Sequence, residues 1–151
     1  MPETARRTTA GTVLAFDFGL QRIGVAVGEP ELGTAHPLTG LAAQSVGGRF
    51  TAIGRLVKEW RPSLLVVGRP LGEDGAPHEM TRRAERFARQ LNGRFRVPVE
   101  LVDERFSSAD AESRVRAAAG ALRASRLARA RALDSYAAQL ILEQFFHEQA
   151  A

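Results

Sequence analysis

Short apolar runs punctuated by turn residues dominate the first third of the chain, and apolar residues at helical spacing become prominent after it. Val13 to Phe18 is short and rich in strand formers. Gly19-Leu20-Gln21-Arg22 follows, then a second apolar run, Ile23 to Val27. Two such runs joined by a short Gly-containing link predict a β-hairpin. Pro30 and Gly33 mark a turn, and Ala35 to Leu41 reads as a third strand. Pro37 cannot donate to a ladder, which suits an edge. Gly47-Gly48 closes this section.

Phe50, Ile53, Leu56, Val57 and Trp60 recur at helical spacing, and Pro62 stops that helix. Leu64 to Val67 is a continuous apolar run bounded by Gly68 and Pro70, the pattern of a strand buried on both faces. A polar loop runs from Leu71 to His78. A helix follows from about Glu79 to Leu91, with Arg82, Arg86 and Arg89 on one face and Asn92-Gly93 as its stop. Val97 to Val102 is a further strand. Ser107-Ser108-Ala109-Asp110 reads as an N-cap opening a helix to about Ala119. Leu122 to Ala132, rich in arginine and alanine, reads as helix or arm, and the last helix runs from about Asp134 to His147. Tyr136, Leu140, Ile141 and Phe145 give it an apolar stripe. The order is β-β-β-α-β-α-β-α with a final helical region. It implies one domain with a mixed sheet and helices packed against it.

Three places break the pattern with a carboxylate. Asp17 stands inside the first apolar strand, where an unpaired charge costs several kcal/mol to bury (order of magnitude). Asp103-Glu104 stands where a later strand ends, and Asp134 opens the last helix. Each has a structural explanation. Asp17 can bond to loop amides near Gly19, Asp103 or Glu104 can pair with Arg105, and Asp134 can cap a helix. Together they carry a functional reading. Parallel strands present their carboxyl ends on one side of a sheet, where ligand sites gather. Three converging carboxylates suit hard divalent cations, and two such ions can clamp the oxygens of a phosphodiester hydrolysis. His36, His78 and His147 lie near no nucleophile motif and read as surface or loop residues.

The chain has 151 residues, no cysteine and a net charge of +4, with a pI of about 10.8. The missing cysteines exclude disulfides, thiolate zinc sites and a cysteine nucleophile. The basic balance suits a polyanion partner, or reflects an arginine-rich genome, since Lys58 is the only lysine. No stretch reaches the roughly 18 apolar residues that span a membrane. Residues 1–11 read as a disordered leader, and the location expected is cytoplasmic.

The segments FDFGLQRIGVAVGEP, LLVVGRPLGEDG, VELVDERFSSADAE and ALDSYAAQLILEQFF resemble, in order, the four signature blocks of the YqgF/RuvX family. They span about Val13 to Phe146. The resemblance implies an α/β, RNase H-like fold: a mixed five-stranded sheet with antiparallel β1-β2-β3 and helices on both faces, in one nuclease domain over residues 12–148. It implies a metal-dependent endonuclease for the 5′ end of pre-16S ribosomal RNA, using Mg²⁺ or Mn²⁺. Holliday-junction resolution in branched DNA is the second reading. A ribosome-assembly RNA-binding factor with vestigial catalysis is the third. By position, the catalytic and metal-holding acids are Asp17, Glu104 and Asp134, with Asp103 as rival to Glu104. Resolvases of the RuvC type carry a catalytic glutamate at the end of the fourth strand. Gly68-Arg69-Pro70 stands there instead, so the acid moves to the end of the next strand. Gln21, Gly28-Glu29 and Phe106-Ser107-Ser108 also depart from the family's common residues.

Given that site, Gly19 lets backbone approach a phosphate. Arg22 and Arg105 suit non-bridging oxygens, and Arg69 with Gly68 suits one wall of a groove. Arg114, Arg116, Arg123, Arg126, Arg129 and Arg131 are concentrated before Asp134 and suit backbone phosphates, or form a solvated helical face. The partner expected is pre-16S rRNA, free or in the pre-ribosomal particle, with no membrane contact. The chain is expected as a monomer or weak homodimer.

Overall fold

A computed structural model describes residues 11–43, 45–72, 74–104 and 125–150. The antiparallel opening is β1 (Val13–Phe18), β2 (Arg22–Glu29) and β3 (Thr34–Ala42). Helix α1 (Val46–Trp60), β4 (Leu64–Arg69), α2 (Glu79–Phe95), β5 (Val99–Asp103) and α3 (Arg126–Ala150) follow. The five strands form one sheet in the order β3-β2-β1-β4-β5, with β1, β4 and β5 mutually parallel. Of the leader expected over residues 1–11, all but Gly11 lies outside the described residues, as does the helix expected after Ser107.

Alternation along the strands divides the core. Leu14 and Phe16 of β1, with Ile23 and Val25 of β2, face α1 and α2, where Phe50, Ile53, Phe87 and Leu91 are buried. The rings of Phe16, Phe18 and Phe50 all gather on Phe87, with centroids 4.8–6.0 Å away. Val13 and Ala15 take the opposite face, against Ala138, Ile141, Leu142, Phe145 and Phe146 of α3. Helices therefore cover both faces. Leu64 to Val67 are buried on both sides, as the continuous run predicts. β3 lies at the edge. Its pairing slips between Val25 and Ala26, whose partners are Thr39 and Pro37, leaving Leu38 as an extra residue.

Element ends correct three sequence expectations. α1 starts before the two glycines, because Ser45 caps it by accepting from Gly48 N at 3.1 Å. α2 runs past Asn92-Gly93 to Phe95, because Phe95 packs on Phe50 and against Gly54. Burial of that ring outweighs a local stop. α3 starts at Arg126 rather than Asp134. Ser125 accepts from Ala128 N at 3.2 Å and so fills the capping role given to Asp134. The alanine- and arginine-rich residues that follow propagate helix readily. No helix among the described residues is long and apolar enough to cross a membrane.

Glycines decide where α3 lies. A Cβ on Gly24 would stand 1.9 Å from the carbonyl oxygen of Asp134, so helix backbone touches strand backbone there. A Cβ on Gly28 would meet Phe146 and Leu142 at 2.9 and 3.0 Å, and one on Gly68 would meet Ile141 at 2.4 Å. Isolated glycines within strands mark such close approaches. Gly24→Ala should destabilise the fold by about 3 kcal/mol or more, because neither backbone can yield cheaply. Gly93→Ala should stabilise it by about 0.5–1 kcal/mol, since Gly93 sits inside α2 with open space around it. Urea denaturation of both variants checks the pair.

Candidate active site

Strand alternation carries Asp17 to the α3 face, two residues beyond Ala15. Its partner on β2 is Gly24, and the partner of Gly24 on β3 is Gly40. On the other side, β4 presents Gly68 directly after Val67, the partner of Phe16. Asp17 thus stands in a sheet rung flanked by glycines. The bare strip beside it admits the turn of α3 that carries Asp134: a Cβ on Gly40 would stand 3.1 Å from Asp134 Oδ2. Asp134 is held there by Arg22 at the start of β2, whose Nε donates to Oδ2 at 2.8 Å.

Glu104 follows the end of β5, tied in by its backbone N–H donating to Arg69 O at 3.2 Å. Its carboxylate leans over β4, where a Cβ on Gly68 would stand 3.3 Å from Oε1. The space left by the missing side chain at position 68 is therefore used by Glu104 and Ile141. Asp103, the preceding residue, turns away. Its Oδ1 accepts from Arg69 Nη1 at 2.8 Å, while Arg69 Nε donates to Glu85 at 2.9 Å. Gln144 of α3 donates to the carbonyl of Asp103 and so binds the helix to the end of β5.

The three carboxylates sense one another. Burial first, then the like charges of Glu104 and Asp134, push the Asp17 carboxyl from its ordinary 3.8 up to about 7. Burial also raises Glu104. Asp134 is raised by burial and partly relieved by Arg22. An all-oxygen donor set in which like charges press on the buried Asp17 fits a hard divalent cation. Among the described residues no three acidic or histidine side chains already sit close enough to grip an ion.

The remaining predicted residues divide. Gly19 is needed by the hairpin itself, since a Cβ there would stand 2.6 Å from Arg22 O. Arg126 and Arg129 lie exposed on the first turns of α3, about 12 and 8 Å along the helix axis from Asp134 at 1.5 Å per residue. A cavity of about 360 Å³ between β3 and this part of α3 is lined by Leu38, Thr39, Arg131 and Ser135. Arg105, Arg114, Arg116 and Arg123 lie outside the described residues. His78 caps α2, its Nδ1 accepting from Met80 N at 3.2 Å. Sequence reasoning passed over Gly24 and Gly40 as site builders. The signal was their position inside strands.

Comparison with known proteins identifies relatives of the whole chain. A profile of the RuvX family, described as Holliday junction resolvase, matches residues 11–148. A protein of Dechloromonas aromatica named "Putative pre-16S rRNA nuclease" is 55% identical over 136 residues, 90% of each chain. One of the same name from Nitrosospira multiformis is 47% identical, covering 99% of this chain and 96% of its own. Among solved structures, Thermus thermophilus RuvC in complex with a Holliday junction substrate superposes with a TM-score of 0.57 at 17% identity, covering 93% of this chain and 96% of that one. That likeness shows a RuvC-like, RNase H-like fold.

A carboxyl whose pKa rises on folding stabilises the folded state fully below its unfolded pKa, and that contribution is lost as pH rises through the folded value. For Asp17 the window runs from about 4 to about 7. The metal-free protein should therefore melt at lower temperature at pH 8 than at pH 5. Asp17→Asn should stabilise the protein at pH 8 by up to about 4 kcal/mol, seen as a higher melting temperature, and change it little at pH 5. Thermal melts in chelator at the two pH values check this.

Proposed function

The chain belongs to the RuvX family, and on that premise we propose that it is a metal-dependent endonuclease acting on the 5′ end of pre-16S rRNA. The observation that carries the reading is the grouping of Asp17, Glu104 and Asp134 at the carboxyl end of β1, on a strip of sheet without side chains. Carboxylates held together against their own repulsion contribute nothing to folding. They gain a purpose when a cation shares them. Asp17, Glu104 and Asp134 would hold Mg²⁺ or Mn²⁺; the names of the relatives support the ribosomal substrate.

Bound divalent ions would supply an activated water and charge neutralisation at the leaving oxygen. The protein's part is positioning. The parallel strands aim Asp17 and Glu104 to one side of the sheet. The glycine rung lets α3 bring Asp134 down beside them. Arg22 keeps the carboxylate of Asp134 oriented and adds a cation at the rim, half exposed, where a non-bridging phosphate oxygen can reach it. Arg69 clamps Asp103 and Glu85, which supports a part in shaping the end of β5 and favours Glu104 over Asp103 as the acid at the centre. Arg126 and Arg129 offer phosphate contacts upstream of Asp134 on the same helix.

Cleavage of a labelled RNA spanning the 5′ junction of 16S rRNA, in Mg²⁺ or Mn²⁺, beside a four-way DNA junction, tests the reading. Asp17→Asn and Glu104→Gln should each lower RNA cleavage by about 100-fold or more, and Asp103→Asn by less than about 10-fold. Undiminished cleavage by Asp17→Asn and Glu104→Gln would overturn the site. Junction cleavage without RNA cleavage would move the substrate to branched DNA, in keeping with the family's description.

A further inference from the structure

The opposite face of the sheet carries a second feature at the same end. Phe18 is the residue after Asp17, so its side chain falls on the α1–α2 side. There a pocket of about 190 Å³ is lined by Phe18, Val46, Arg49, Arg83, Arg86 and Gln90. Among the described residues, three of the six that line it are arginines and none is a carboxylate. The guanidinium of Arg49 lies 5.4 Å from the centroid of the Phe18 ring and donates through Nε to Ala43 O at 3.1 Å. That bond, joined by one from Nη2 to the same carbonyl oxygen, orients the guanidinium of Arg49. Arg83 pairs with Glu79 at 3.0 Å, at an exposed site where such a pair is weak. Arg86 is exposed and has no ion pair among the described residues.

Arg83 and Arg86 are three apart on α2, and Arg82 and Arg86 four apart, spacings at which like charges repel by a few tenths of a kcal/mol. The fold draws no support from that crowding. An apolar floor of Phe18 and Val46 beneath convergent guanidinium groups strengthens the field toward an anion. Planar guanidinium groups match phosphate oxygens in forked geometry.

We propose that Arg49, Arg83 and Arg86, over Phe18, form a binding site for a backbone phosphate of the RNA strand, distinct from the acidic centre. The site rests on the nuclease reading and deepens it. The end of β1 divides the two: Asp17 faces the carboxylates on one side, and Phe18 floors the arginines on the other. A strand passing over that end would have one phosphate at the acids and another, a few nucleotides away, in the arginine pocket. The anchor would set how far the cut falls from a held part of the strand.

The test is RNA binding by the full chain, followed by anisotropy of a labelled RNA spanning the 16S 5′ junction, in chelator, over a series of salt concentrations. Arg83→Gln/Arg86→Gln is compared with Arg82→Gln/Arg89→Gln, which removes the same charge from the same helix outside the pocket. The pocket variant should weaken binding about 10-fold and lower the slope of log K against log salt by about 0.7, one phosphate on a single strand. The control pair should lose less than half as much on both measures. Equal losses in the two double variants, or none, would overturn the site while leaving the nuclease reading intact. Failure of the wild-type protein to bind the RNA would overturn both. Thermal melts confirm that each variant is folded, as expected for exposed side chains.

Discussion

Contact between helix backbone and strand backbone at Gly24 governs one end of this molecule. The carbonyl of Asp134 occupies the volume that any Cβ at position 24 would need. Because α3 can sit this low, Asp134 reaches the plane of Asp17 even though the two belong to distant parts of the chain. Gly40 and Gly68 extend the same bare strip, one for the Asp134 carboxylate and the other for Ile141 and Glu104. A wider helix–sheet gap would move Asp134 away from Asp17 and weaken its like-charge effect there.

Electrostatics at this end is deliberately unequal. Three carboxylates away from the centre are paired: Asp103 and Glu85 share Arg69, and Glu79 has Arg83. Of the three central acids, Asp134 is paired, with Arg22, and the Asp17 carboxyl is driven up to about 7 by burial and by its neighbours. Pairing the outer acids matters because a free Asp103 beside Glu104 would add to the repulsion. The clamp on Arg69 therefore both braces the end of β5 and isolates Glu104 as the acid that leans inward.

Much of this was legible in the sequence. The strands were readable because apolar runs bounded by Gly and Pro have few alternatives, and the edge position of β3 followed from Pro37. The resemblance supplied the three acids as expectations, and in the fold Glu104 overlies Gly68 on the fourth strand. Element ends were less legible. Asp134 read as a helix start because aspartate favours caps, yet the capping oxygen comes from Ser125 and the helix passes straight through residue 134. Asn92-Gly93 read as a stop, yet Phe95 had a partner in Phe50 that only the tertiary fold provides. The pairing that turns Asp103 away was also invisible locally, since its partner Arg69 is 34 positions away.

The reach of the Arg22–Asp134 bond has a consequence in time. Its partners are 112 positions apart in the chain. Closing so long a loop is entropically slow, and contacts of that span form late. During synthesis the strands and the first two helices can assemble as residues emerge, because their pairings are nearer neighbours. Asp134 cannot join until the 112 positions that separate it from Arg22 have been made. The meeting of Asp134 with Arg22 is thus a late event in the chain's assembly, and the three acids are gathered only after the sheet that holds two of them exists.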